Sequence, residues 1–295
     1  MDPVTRRTDK AIVALAGAGV LWGLTVPLSK LGLEWLGPGW LAVARFALAA
    51  LPLALLARRR LRGALHPAVV LAGALGYGAV ILLQNAGIVH TSVSHAALIV
   101  GATPVLVAGI TVLSGRAHGS GAAWASALAA LAGVGLVAVG GGGGSTLAGD
   151  ALVGLSVAGS AVFIVVQPRL LRGRDAAAVT AVQLGAAALL SLPVALVGEG
   201  LPPAPAGAGP VAAVGALALA GTLAAYWLFT WAQARVPARL ASAFINLEPL
   251  VGALAGVAVF GDAFGRTQAL GALAILGAIA LAAGAERRGG PAAHA

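Results

Sequence analysis

The sequence predicts an all-α membrane protein: ten transmembrane helices arranged as two inverted five-helix repeats. Three observations predict it, namely the apolar content, the length and even spacing of the apolar runs, and the placement of Lys and Arg between them. Of 295 residues, 60% are hydrophobic and 9% are charged. A soluble globular chain carries about 25% charged residues. So few charges cannot cover a folded surface in water, and the mean hydropathy of +0.98 agrees. The solvent for most of this chain is lipid.

A spanning helix needs roughly 20 mainly apolar residues. The first run, 11–31, follows Arg6, Arg7 and Lys10. Runs 39–57 and 68–89 flank Arg58, Arg59, Arg60 and Arg62. Runs 95–114 and 122–140 flank Arg116, and runs 151–168 and 176–197 flank Arg169, Arg172 and Arg174. Runs 211–231 and 240–260 flank Arg235 and Arg239, and run 267–285 precedes Arg287 and Arg288. These segments alternate with loops that hold Arg266 alone, while Lys30 and Arg45 fall at or within spans. So uneven a partition is what the positive-inside rule produces, and a miscounted helix would scramble it. Both termini are expected in the cytoplasm. The same clusters account for the net charge of +9 without nucleic acid. The first run is too long for the apolar region of a signal peptide, and a similar segment recurs mid-chain. The runs are also too long and too evenly apolar for the alternating strands of a membrane barrel.

Asp9–Pro27 and Asp150–Pro168 match at an offset of 141: each starts with Asp, carries a mid-span aromatic (Trp22, Phe163) and ends in Pro. Ala97–Pro104 and Ser242–Pro249 match at an offset of 145, early in the fourth span of each half. Five spans return the chain on the opposite side, so the second copy inserts upside down. That architecture belongs to secondary transporters and puts the substrate site near the midplane between the copies. The expected repeats are 1–143 and 144–295. The Gly140–Gly144 run, with Ser145 and Thr146, is expected to be a flexible joint.

The chain resembles the EamA-type, ten-span members of the drug/metabolite transporter superfamily over nearly its whole length. The resemblance is carried by Trp22-Gly23 with Pro27, Arg45-Phe46, and Asn85-Ala86-Gly87 running to Thr91-Ser92. Ala96-Ala97-Leu98-Ile99, Thr103-Pro104, Tyr226, Pro237-Ala238, Ser242, Leu247-Glu248-Pro249 and Gly261-Asp262 complete it. Asp262 departs from the more usual Glu, and His95 stands where a small residue is expected. The resemblance implies a plasma (inner) membrane carrier that moves a small metabolite, an amino acid or related compound, by export. It implies no cofactor. A facilitative, channel-like permease is the alternative, as is a small-multidrug-like exporter of organic cations coupled to protons. The remaining partners are the lipid bilayer and protons, with the protein a monomer or homodimer.

Glu248 is the sharpest candidate. An ionisable group deep in a span is costly and is a functional-site hypothesis by default. It reads either as a cation-binding or protonatable group facing a central cavity or as an internal strut. Arg45 reads as a partner for a substrate carboxylate or for Glu248, or as a structural charge. Gln84, Asn85, Gln183 and Asn246 either line a watery path or bond helix to helix. Trp22 and Tyr226 could stack on a substrate or pack against neighbours. Pro27, Pro104, Pro168 and Pro249 are candidate hinges, because proline removes a helix hydrogen bond. Gly19/Gly23 and Gly252/Gly256 read as helix-contact pairs. His90 and His95 flank one turn without a carboxylate or thiolate, so no metal site is expected; Cys is absent.

No metalloprotease helix motif, nucleophile elbow or paired aspartates occur within the spans, so intramembrane enzyme chemistry lacks its parts. No phosphate-binding Gly-rich loop with Lys occurs either, which excludes an ATP-driven pump.

Overall fold

The computed structural model describes residues 3–90, 99–114, 121–138, 146–205, 207–255 and 265–289. These residues are helices joined by short turns, with no strand among them. The predicted Gly140–Gly144 joint, His95, Asp262 and the segment 91–98 lie outside the described residues, as does Gly256.

Seven stretches are long and apolar enough to cross a bilayer, from Thr8–Leu33 (span 1) to Arg266–Gly284 (span 10). Ile99–Leu113 (span 4) and Trp124–Leu136 (span 5) are shorter. Span 9 is built of Ala238–Ala243, a 3-10 turn at Phe244–Asn246, and Leu247–Ala255. The other spans are Pro38–Leu56 (2), Pro67–Gly87 (3), Leu147–Leu171 (6), Ala176–Glu199 (7) and Ala208–Gln233 (8).

Irregularities fall where proline or glycine weakens the ladder. Span 1 resets at Leu24, between Pro3–Gly23 and Thr25–Leu33, one turn before Pro27. Pro27 cannot donate to the Gly23 carbonyl, and its ring crowds that group. Span 4 turns at Ala102 just before Pro104, and the Thr103 hydroxyl donates to the Val100 carbonyl at 2.6 Å, the acceptor that Pro104 leaves unused. Span 9 tightens at Phe244–Asn246, just before Pro249. Pro168 behaves differently, because Leu147–Leu171 runs through it without interruption. There the Gln233 amide donates across to the Ile164 carbonyl at 3.3 Å, filling the bond that Pro168 removes. The expected hinge at Pro168 therefore coincides with no break. Spans 3 and 8 each carry a π-helical turn, Ala74–Ala79 and Leu217–Ala224, at corresponding places in the two halves.

The main helix contacts cross between halves. Span 2 packs on span 7, span 5 on span 10, span 3 on span 6, span 1 on span 8, span 4 on span 6 and span 1 on span 9. Exchanging the halves maps this set onto itself. Small residues permit the closest crossings. A Cβ on Gly19 would lie 2.6 Å from the Phe244 carbonyl oxygen, and one on Gly23 would overlap the Val251 side chain. Gly23 also faces Gly252.

Carboxylates fasten the ends of the span 2–span 7 pair. At one end Glu199 accepts from the Gly39 and Trp40 backbone N–H groups at 2.6 and 3.1 Å, capping span 2 from the last residue of span 7. The Trp40 and Trp35 indoles donate to the Gly200 and Pro203 carbonyls beside it. At the other end Asp175 caps span 7 by accepting from Ala178 N–H at 3.0 Å and pairs with Arg60 at 2.6 Å. Burial alone would push the Asp175 carboxyl up, but the bonds from Ala178, Arg60 and Ala177 hold it below its ordinary value. Segments expected on one side of the membrane meet each other: the span 1–2 turn meets the span 7–8 turn, and the span 2–3 loop meets the span 6–7 turn.

Candidate functional site

Between the two halves lies a cavity of about 220 Å³. Its wall takes Trp22, Thr25, Ser29, Arg45, Tyr77, Gln84, Asn85 and Thr103 from the first half and Ser156, Ser160, Phe163, Tyr226, Phe229 and Glu248 from the second. It reaches Leu33 and Pro38 at the ends of spans 1 and 2. The volume lies below the ~300–1,000 Å³ of drug-sized pockets, so it suits a small metabolite.

The broken helices position the polar groups. Glu248 stands two residues past the 3-10 turn of span 9, about 15 Å of helix from Ala238. Thr103 occupies the corresponding position in span 4, next to the turn at Ala102. Thr25 follows the break in span 1 and donates to the Trp22 carbonyl at 2.7 Å. Each break thus brings a side chain to the wall beside backbone freed from the ladder.

Arg45 is 6% exposed and faces the cavity from span 2. Its Nε donates to Thr222 Oγ1 at 3.0 Å, and that hydroxyl donates to the Leu217 carbonyl at 2.9 Å within the π-turn of span 8. Its guanidinium also lies 5.6 Å from the Phe46 ring centroid. Arg45 and Glu248 share the cavity without forming an ion pair with each other. A cation and an acid thus face one small space, each able to meet a ligand group of opposite charge.

Aromatic rings close the opposite end. Tyr226 packs edge-on against Trp22, Tyr77 and Phe46 at 5.3, 4.5 and 6.3 Å. Trp22 meets Phe229 at 4.8 Å, and Tyr77 meets Phe163 at 4.6 Å. The Tyr77 hydroxyl shares a hydrogen bond of 3.3 Å with Thr230, tying span 3 to span 8. Trp22 and Phe163, matched in sequence at an offset of 141, both contribute to this cluster. The Trp22 indole N–H is buried and has no partner among the described residues.

Of the residues expected at the site, Trp22, Arg45, Gln84, Asn85, Tyr226 and Glu248 reach the cavity wall. Asn85 also donates to the Pro38 carbonyl at 3.4 Å. Gln183 does not reach it. Its amide exchanges two 2.8 Å bonds with Gln167, and both are fully buried, so it fastens span 7 to span 6. Asn246 lies in the 3-10 turn, fully buried and off the wall, and its amide has no partner among the described residues. Sequence reading missed Tyr77, Thr103, Ser29, Ser156 and Ser160. The repeat held the signal for one of them, since Thr103-Pro104 matches Glu248-Pro249.

Comparison with known proteins places this geometry. The sequence profile of the EamA-like transporter family matches residues 9–139 and 147–284, once in each half. A protein of Streptantibioticus cattleyicolor described as a "Probable terminal-alkyne amino-acid exporter" is 31% identical over 143 residues, 46% of this chain and 47% of that protein. The match thus spans about half the length of that relative. One solved crystal structure superposes with a TM-score of 0.82, covering 95% of this chain and 98% of the other at 20% identity, a likeness of fold alone.

Proposed function

This chain belongs to the EamA-like transporter family, and from that premise we propose that it exports an amino acid or related small metabolite by alternating access. It is a multi-pass membrane transporter of the drug/metabolite transporter superfamily, with a small-molecule substrate, and is not an enzyme. The two profile matches support an organisation into repeats 1–143 and 144–295. In our reading these are inverted, with both termini in the cytoplasm and the protein in the inner membrane. Amino-acid export is inferred from the description of the relative matched over about half its length.

The observation that carries the reading is the small cavity walled by both halves, with Arg45 and Glu248 facing it from different halves. A ligand bearing both charges would meet Arg45 with its carboxylate and Glu248 with its ammonium, over a floor of aromatic rings. Trp22, Gln84, Asn85 and Tyr226 supply further contacts. Opening the aromatic end while closing the other would carry the ligand across, with the discontinuities before Pro27, Pro104 and Pro249 as flexing points. Glu248 is the candidate for proton coupling. The protein works in this reading as a monomer or a homodimer.

Purified protein in liposomes tests it. Flux of a neutral amino acid should saturate, and unlabelled substrate on one side should drive labelled substrate against its gradient. A linear, non-saturating flux without counterflow would instead mark a channel-like permease. Counterflow driven by quaternary amines and not by amino acids would move the substrate class to organic cations.

A further inference from the structure

A second depression lies at the membrane end where the arginine-rich loops gather. Its volume is about 1260 Å³, far larger than the central cavity. It is lined by Lys10 of span 1, the end of span 2, the span 6–7 turn and the end of span 8, and six cations among the described residues face it: Lys10, Arg58, Arg59, Arg60, Arg174 and Arg235. Among the described residues one acid faces them, Asp175, and Arg60 already holds it at 2.6 Å. The positive-inside rule explains why cations lie on this side, but not why these six converge. Arg169, Arg172 and Arg239 lie on the same side and line none of it.

The wall beside the cations is membrane-like. Leu55 and Leu56 are 70% and 71% exposed on the lipid-facing surface of span 2. Trp227 and Trp231 stand opposite them, and indoles favour the level of lipid headgroups. Two of the arginines are held in place. Arg174 donates to the Gly63 and Leu170 carbonyls at 3.2 and 3.0 Å, and Arg235 donates to the Trp231 carbonyl at 2.6 Å while stacking 3.8 Å over its ring. Arg58 and Arg59 are exposed at the rim. A basic pocket between helices, floored by indoles and edged by exposed leucines, offers phosphate contacts beside a surface for acyl chains.

We propose that this depression binds the headgroup of an anionic phospholipid from the cytoplasmic leaflet, with its chains lying along Leu55 and Leu56. The partner chemistry is a phosphodiester anchored to hydrocarbon: exposed Leu55 and Leu56 line the same depression as the cations, so a headgroup can reach the cations while its chains stay beside the leucines.

Detergent-purified protein titrated with phosphatidylglycerol, cardiolipin or phosphatidylcholine, and read by native mass spectrometry, tests the site. Retention of the two anionic lipids over phosphatidylcholine is expected. The double variant R58Q/R59Q should lose retention by about five-fold per removed cation, whereas R169Q/R172Q, with the same charge loss elsewhere on that side, should retain lipid as the unaltered protein does. R58K/R59K should restore it, which separates binding from misfolding, and a C-terminal tag checks that each variant inserts in one orientation. Equal loss in the two Gln pairs, equal retention of phosphatidylcholine, or displacement of bound lipid by inorganic phosphate at equal concentration would each overturn the proposal.

Discussion

Towards Leu33 and Pro38, the space between the repeats is walled by Ser29, Gln84, Asn85, Ser156 and Ser160 and remains hollow. Towards the arginine-rich loops the same space is filled by Trp22, Tyr77, Phe163, Tyr226 and Phe229, ring against ring. Short hydroxyl and amide side chains leave room and can bond water or ligand. Aromatic rings bury large areas and pack edge to face, each such pair adding about 0.5–1.5 kcal/mol. In the proposed cycle the hollow end would admit ligand and the aromatic end would seal. Glu248 and Arg45 sit where the two chemistries meet.

The largest expected effect comes from the charge at that junction. Glu248→Gln should fold and insert normally but lose a charge-assisted ligand contact of about 1.5–3 kcal/mol, roughly ten- to more than a hundred-fold in transport at low substrate. Liposome flux at matched protein density checks it, and unchanged flux would remove Glu248 from the site. A comparable loss of a different kind is expected from Gly23→Val. The added side chain would collide with Val251 and the Glu248 carbonyl, costing about 1–3 kcal/mol of stability. That loss reads out as lower expression and a lower Tm rather than as an altered substrate profile.

Tyr226→Ala sharpens the contrast between the two ends. It removes the ring at the centre of the aromatic cluster and should create a substrate leak down its gradient, measured as faster passive efflux from loaded liposomes. Smaller effects are expected away from the cavity. Gln183→Leu should destabilise by about 1–3 kcal/mol by orphaning Gln167, and the double change Gln167→Leu with Gln183→Leu should recover much of it. Substrate affinity should be unaltered in both, and a changed affinity would return Gln183 to the cavity wall.

Asp175 gives the smallest effect and the clearest sign. Its folded-state carboxyl titrates below its ordinary value, so its stabilisation is present above the unfolded value of about 4 and is lost as pH falls through the folded one. Asp175→Asn keeps a capping oxygen and loses the pairing with Arg60, which is largely exposed. It should cost under about 1 kcal/mol near neutral pH and flatten the fall in Tm below about pH 4.

Where the span ends fall on described residues, hydropathy and charge alternation located them to within a few residues, because a bilayer penalises every misplaced charge. They also made Glu248 and Arg45 conspicuous, since deep charges are rare. What they could not reveal was direction. A helix that is apolar all round has no amphipathic stripe to say which side faces a cavity, so Tyr77, Ser156 and Ser160 looked like any small or aromatic span residue. Gln84 and Gln183 are the same residue type in similar runs. Their difference rests on Gln167, a neighbour brought opposite Gln183 by packing alone. Pro168 matches Pro27 in sequence yet causes no break, because Gln233 from another span supplies the missing donor. The π-turns of spans 3 and 8 left no mark in hydropathy, since they change hydrogen bonding without changing composition.

The chain has no cysteine, so single cysteines can be placed without background. Ser29→Cys and Ser160→Cys put a thiol on the cavity wall from opposite halves, while Leu155→Cys and Leu189→Cys put one on exposed positions of spans 6 and 7 outside it. If the space between the repeats is the substrate path, thiol modification at Ser29 or Ser160 abolishes liposome transport and bound substrate protects against it, while modification at Leu155 or Leu189 leaves transport intact. Full transport after complete modification at both serine positions would contradict the account.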